Sequence, residues 1–147
     1  MQINFARLFS VATLLATSVL FLSAQAPSPS DAGRHERWTL AEMSQPRRLG
    51  DYGTHNASVQ RREPGAAPET HPGYSHILMF TGGSGSFTLG GTIVDGPDGK
   101  KVIRDGETQP IVLGAVYHIP FNVAHQVVAD PGQAVTYFVT SINIAKP

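Results

Sequence analysis

Residues 114–125 read GAVYHIPFNVAH and carry the pattern that decides the fold. The first part, 115–119, is rich in β-branched and aromatic residues, which predicts a short strand. Pro120 ends that strand, because proline cannot donate a hydrogen bond to a sheet ladder. A second strand is predicted from His125 to Ala129. The stretch therefore predicts two short strands joined by a proline-bearing turn.

The same unit, a short β-rich run closed by Gly, Pro, Asn or Asp, recurs along the chain. After Gly33 no apolar pattern of helical period holds for three turns, and Trp38–Met43 would form one helical turn at most. Many short strands predict an all-β antiparallel sandwich or barrel over about residues 50–145. The other predicted strands lie near Ala57–Glu63, Ser75–Phe80, Ser86–Leu89, Thr92–Val94, Lys101–Arg104, Ile111–Leu113 and Ala134–Asn143.

The composition limits the classes of protein to which the chain can belong. Its 147 residues, 41% of them hydrophobic, suffice for one domain with a real core. Eleven basic and 11 acidic side chains give a net charge of zero, whereas a nucleic-acid binder needs a basic face. With no cysteine, disulfides and thiolate nucleophiles are excluded. Histidine and glutamate therefore carry most of the remaining site chemistry.

The N-terminal residues have the parts of a secretory signal. Arg7 precedes a largely apolar run, residues 8–22, and the small-residue segment Ala24-Gln25-Ala26 follows. The run is shorter than the roughly 20 apolar residues of a transmembrane helix. We expect a protein that is exported, periplasmic or secreted, with no stable membrane insertion after cleavage. Pro27 is unfavourable just after a cleavage point, so an uncleaved N-terminal anchor is the alternative.

The chain is therefore predicted to consist of three segments. Residues 1–26 are predicted to be the signal peptide, residues 27–33 a flexible linker and residues 34–147 the folded domain.

Two clusters of histidine and glutamate have the spacing of ligands. Glu69 and His71 stand two residues apart, hence on one face of an extended strand, and a turn at Pro72-Gly73 can bring His76 to that face. His125 arrives from a separate strand pair. Imidazole and carboxylate bind divalent transition metals such as Fe, Mn, Zn, Ni or Cu. The sequence thus predicts a metal site of Glu69, His71, His76 and His125, with Glu69 either a fourth ligand or an adjacent catalytic base.

Plainer interpretations of these residues stay open. His76 could be a buried core histidine, and Glu69 could be a solvent-facing carboxylate at a strand end. His118 fits a structural or rim position better than a ligand role. His35 and His55 fall in the N-terminal arm and receive no role.

In two motifs the chain resembles the cupin superfamily. The first is Glu69-x-His71-x4-His76-x6-Gly83, which keeps the family's spacing with the outer Glu and His exchanged. The second is Gly114-x5-Pro120-x-Asn122-x2-His125, in which Asn122 stands where a turn glycine is usual. A residue that tolerates positive φ can make that replacement.

The resemblance covers residues 58–143 and implies a double-stranded β-helix, the jelly-roll or cupin barrel. A metal at the predicted site would suit a metal-dependent enzyme of oxygenase, isomerase or lyase type that acts on a small organic molecule. A non-catalytic cupin module that binds a small molecule or a metal is the alternative, since one fold hosts both. A homodimer is also implied, in keeping with edge strands and with the apolar segment Trp38-Thr39-Leu40, which could pair with a neighbouring subunit.

Overall fold

Ten strands form the framework of the chain over residues 33–144, the part that the computed structural model describes. In chain order they are β1 (Arg47–Asp51), β2 (His55–Arg62), β3 (Tyr74–Gly82), β4 (Gly85–Leu89), β5 (Thr92–Asp95), β6 (Lys101–Arg104), β7 (Glu107–Pro110), β8 (Val116–Ile119), β9 (His125–Ala129) and β10 (Val135–Asn143). A single 3₁₀ turn, Glu42–Ser44, precedes them, and no α-helix occurs among the described residues. None of the described helical segments is long and apolar enough to cross a membrane.

The strands pair antiparallel in two sheets and a separate hairpin. A five-stranded sheet has the order β1-β2-β10-β3-β8, and a three-stranded sheet has the order β7-β4-β9. Strands β5 and β6 form the hairpin. This arrangement is the predicted all-β jelly roll, and it leaves a space between the two sheets.

The core fills most of that space with aromatic and branched side chains. Phe80 on β3 meets Phe87 on β4 edge to face, with ring centroids 5.4 Å apart, so the two rings join the two sheets. Tyr117 on β8 packs against both rings at 5.6 and 5.0 Å. Ile119 and Val135 are also fully buried. The core thus occupies the central part of the barrel.

The N-terminal segment packs on the outer face of the five-stranded sheet. Trp38 lies against Phe138 of β10, with ring centroids 5.9 Å apart, and the Thr81 hydroxyl donates to the Met43 carbonyl at 2.9 Å. A reciprocal pair of hydrogen bonds between Thr39 and Glu42 starts the 3₁₀ turn, which is the one helical turn that the sequence predicts. Trp38 therefore has a partner within its own chain, whereas Leu40 of the same segment is 63% exposed.

The sequence does not predict two of the strands, β1 and β7. β1 is rich in charge and β7 is polar, and each lies at the edge of its sheet. Edge strands need fewer apolar residues, since one side of the ladder is unpaired and exposed. Both strands form because a neighbour provides a partner, β2 for β1 and β4 for β7.

One predicted strand is wrong. Residues Ile111–Leu113 form no strand, although the backbone N–H of Ile111 donates to the Gly85 carbonyl at 3.0 Å. Leu113 lies in a turn that continues through Gly114, whose φ is 80°. The turn needs that glycine because other residues rarely adopt positive φ. The predicted signal peptide lies outside the described residues, and so does the linker except for its last residue, Gly33.

Candidate metal centre

Three histidines from different parts of the fold converge at one end of the space between the sheets. His76 comes from β3, His125 from β9 and His71 from the loop that joins β2 to β3. One ring nitrogen from each lies within 4.8 Å of the other two. Their ring centroids are 4.8 to 5.7 Å apart. The structure brings together the three imidazoles that the sequence singles out, while their binding of a metal stays a prediction.

Backbone contacts hold the loop of His71 in place. Glu69 forms a β-bridge with His125, with hydrogen bonds of 2.9 and 3.0 Å. Two residues later, the carbonyl of His71 accepts the N–H of Asn122 at 2.9 Å. Asn122 has a φ of 61°, so it fills the turn position where the sequence motif usually has glycine. The chain then turns at residues 72–73 and enters β3.

A hydrogen bond orients each imidazole through its Nδ1 atom. For His125 the partner is the Val123 carbonyl at 3.0 Å, which can only accept, so Nδ1 carries the proton and Nε2 is left with its lone pair. For His76 the partner is the Ser141 hydroxyl at 3.1 Å, and for His71 it is the Tyr74 hydroxyl at 3.0 Å. Such second contacts are typical of metal-binding histidines. The donor set therefore fits a divalent transition metal bound through the three Nε2 atoms.

Burial favours the neutral form of His71 and His76, which is the form that binds metal. His76 is 8% exposed and His125 is 4% exposed. Burial, with the neighbouring histidines next, lowers the pKa of His76 to about 4. Burial also lowers the pKa of His71 from its ordinary value. Both imidazoles are thus neutral at pH 7 without any metal.

Glu69 lies beside the three histidines but outside their cluster. Its carboxylate accepts a hydrogen bond from Nη2 of Arg62, at 2.7 Å from Oε1. The same Oε1 is 3.7 Å from Nε2 of His125, and Oε2 is 3.9 Å from Nε2 of His71. This position is compatible with both predicted roles, a fourth ligand and a base next to a bound metal.

A cavity of about 260 Å³ opens over the histidines. Its other walls are formed by Gln60 and Arg62 of β2, Leu78 of β3, Val127 of β9, and Tyr137, Val139 and Ser141 of β10, with Glu69 and Tyr74 at its edge. The Tyr137 hydroxyl donates to Gln60 at 3.2 Å, and burial raises the pKa of Tyr137 to about 12. The Arg62 guanidinium lies over the Tyr137 ring, 5.9 Å from its centroid.

The sequence analysis missed Arg62 and Ser141 as site residues. In β2 the apolar residues Ala57 and Val59 suggest that odd positions face the interior, but Gln60 and Arg62 line the cavity. Val59 and Ala57 are buried on the opposite face of the sheet, where Val59 pairs in register with Phe138, the partner of Trp38. The alternation in β2 was therefore misleading, because both faces of this strand are covered.

His55 and His118 lie outside the cluster, and the aromatic residues Phe121 and Phe138 lie outside the cavity. His118 is exposed on β8, which agrees with its predicted rim position. His55 stacks on Tyr52, with ring centroids 4.9 Å apart, and is not part of the cluster. Phe121 is 53% exposed, and Phe138 faces the N-terminal segment.

No protein-family model and no curated protein sequence matches the chain. Solved structures do match the chain. A cupin protein from Bacteroides fragilis is 14% identical, with a TM-score of 0.52 over 76% of this chain and 86% of that one. A cupin-2 domain containing protein from Shewanella frigidimarina is also 14% identical, with a TM-score of 0.47 over 75% and 85%. A cupin domain from Bordetella pertussis is 18% identical, with a TM-score of 0.46 over 68% and 93%.

At such identities the likeness concerns the fold. The chain has the cupin fold, a double-stranded β-helix, as its two sequence motifs predict.

Proposed function

We propose that this cupin-fold protein binds one divalent transition metal through His71, His76 and His125 and uses it in a reaction on a small organic molecule. One observation carries the proposal: each imidazole has its Nδ1 atom in a hydrogen bond, which leaves three Nε2 atoms for one ion. Three protein ligands leave coordination positions open for a substrate. Three imidazole ligands are compatible with each of the metals Fe, Mn, Zn, Ni and Cu.

The bound metal would act as a Lewis acid that polarises the substrate. Glu69 supplies the proton-accepting group, since its two oxygens face the Nε2 atoms of His71 and His125. Arg62 fixes that carboxylate by the hydrogen bond to Oε1. Leu78 and Val127 make part of the cavity wall apolar. An enzyme of oxygenase, isomerase or lyase type is consistent with this set of groups.

The metal content of the purified protein tests the first part of the proposal. Protein prepared without a His-tag and loaded with each metal in turn is expected to keep about one equivalent after dialysis. His125→Ala is expected to lose most of it, because the other two imidazoles form an incomplete site. His118→Ala is the matched control, as this histidine is exposed on β8, and is expected to keep the metal. Less than about a tenth of an equivalent in the wild type, for every metal, would overturn the proposal.

A substrate screen with the metal-loaded protein tests the second part. Turnover that disappears in Glu69→Gln, while the metal content stays constant, would identify Glu69 as the base. Saturable binding of a small molecule without turnover would instead support the alternative, a non-catalytic binding module.

Export and dimerisation are further parts of the proposal. The apolar run and small-residue segment within residues 1–26 support export. Intact mass of protein recovered from the periplasm or medium should show a start between Ser23 and Pro29. Dimerisation is supported by the exposed edge strands β1 and β8. Light scattering at micromolar concentration should give twice the monomer mass, and a clean monomer would contradict it.

A further inference from the structure

Arg62 lines the cavity and is held there by two neighbouring side chains. It is the last residue of β2 and faces the cavity, with 30% of its side chain exposed. Its guanidinium is fixed from two directions, by the Tyr137 ring and by the Glu69 carboxylate. A guanidinium carries five N–H donors in a planar fork. Glu69 accepts from one of them, and Tyr137 is a second hydrogen-bond partner. Donors are therefore left for a second acceptor inside the cavity.

Charge around the cavity favours an anion as that acceptor. Among the described residues that line the cavity, Arg62 and Glu69 are the ones with charged side chains, and their charges cancel. A divalent metal on three neutral imidazoles would add two positive charges. A mostly enclosed site of net positive charge favours a ligand that brings negative charge.

The distances limit the size of this ligand. Oε1 of Glu69 lies 2.7 Å from Nη2 of Arg62 and 3.7 Å from Nε2 of His125. A single carboxylate oxygen therefore spans the gap between the guanidinium and the histidine cluster. A cavity of about 260 Å³ is also below the roughly 300–1,000 Å³ of sites for drug-sized ligands. A compact organic acid matches both limits.

We infer that the ligand of this cavity is a small organic carboxylate, held by Arg62 through its carboxylate group and by the metal through its remaining polar atoms. The inference rests on the proposed metal site. Arg–carboxylate pairs are frequently bidentate, which fixes the orientation of the ligand as well as its charge. The incoming carboxylate takes the donors of Arg62 that remain free and lies beside the carboxylate of Glu69.

Calorimetric titration of the metal-loaded protein tests the inference with malonate as the probe and malonamide as its neutral analogue. Wild type is expected to bind malonate and to bind malonamide at least about tenfold more weakly, since a charge-assisted pair contributes that much. Arg62→Gln is expected to weaken malonate binding by about tenfold or more. Arg61→Gln is the matched control, because this neighbouring arginine is exposed and pairs with Glu63. It is expected to leave the affinity unchanged.

Glu69→Gln gives a prediction of opposite sign. The Glu69 carboxylate repels a second carboxylate on Arg62, so its removal is expected to make malonate bind several-fold more tightly. Arg62→Lys keeps the charge but loses the fork, so it is expected to restore only part of the affinity that Arg62→Gln loses.

The metal content of every sample separates a failure of the proposed metal site from a failure of the proposed carboxylate ligand. Full metal content with equal malonate affinity in wild type and Arg62→Gln would overturn the inference and leave the metal site intact. Absence of metal in the wild type would overturn both. If Arg62→Gln does not fold, Arg62→Lys takes its place, and a malonate affinity equal to that of the wild type would overturn the inference.

Discussion

The backbone of Glu69 pairs with the backbone of His125 in an isolated antiparallel bridge. Residues opposite each other in such a pair present their side chains to the same face. The carboxylate therefore lies 3.7 Å from the imidazole, and the loop that carries His71 is fixed to β9. A single backbone contact thus positions two of the groups that form the site.

Asn122 should control the stability of this loop through its backbone conformation. Its φ of 61° is costly for β-branched residues, and its N–H donates to the His71 carbonyl. Asn122→Val is expected to lower the free energy of unfolding by about 1–2 kcal/mol, and Asn122→Gly to change it little. Urea denaturation measures both. Equal stability of the two variants would contradict this account, since the exposed Asn122 side chain has little packing to lose.

The sequence predicts the strands whose apolar residues face the core and misses those whose formation depends on a neighbour. β3, β9 and β10 carry buried apolar residues and are predicted nearly at their true limits. The edge strands β1 and β7 carry polar residues, and no local pattern distinguishes them from loops. Pairing across the sheet decides their structure, and a single sequence contains no direct record of pairing.

The site residues likewise fall into those that the sequence predicts and those that it misses. The residue types and spacing in the sequence were enough to predict that His71, His76 and His125 would converge. The partners that orient them, such as Ser141, lie far away in the chain and have no distinctive spacing. Arg62 was hidden because the apolar residues of β2 take the other face of the sheet.

Gly83 should tolerate substitution far less than Gly132, although both have positive φ. A Cβ on Gly83 would clash with the backbone carbonyl of Ala134, whereas a Cβ on Gly132 would meet no atom within 4 Å. Gly132→Ala is expected to cost only the conformational term, about 1 kcal/mol. Gly83→Ala is expected to cost clearly more, because backbone must move. Thermal unfolding of the two variants checks the order, and a reversed order would refute the steric argument.

Ser141 should contribute to metal affinity without contacting the metal. Its hydroxyl lies 3.1 Å from Nδ1 of His76, and both residues are buried. Ser141→Ala is expected to weaken metal binding by about 10- to 100-fold, the usual effect of such a second contact. Ser86→Ala is the matched control, because Ser86 pairs with Val128 on β9 and does not line the cavity. Competition with a chelator measures both affinities, and equal values would contradict the role of Ser141.

The stability of the metal-free protein should fall as the pH is lowered from about 6.5 to 4. Burial lowers the pKa of His76 to about 4 in the folded chain, while an unfolded histidine has a pKa of roughly 6.5. The unfolded chain therefore binds more protons between these values, so the free energy of unfolding rises with pH in this window and is fully restored above it. The change due to His76 is at most about 3 kcal/mol.

Urea denaturation of chelator-treated protein between pH 4 and 8 measures this dependence. His76→Gln is expected to flatten the profile, because the titrating group is gone. A smaller slope of the same sign should remain, since burial also lowers the pKa of His71. His118→Gln is the control and should keep the wild-type profile, because His118 is exposed. An unchanged slope in His76→Gln would show that the buried imidazole of His76 is not the source of the pH dependence.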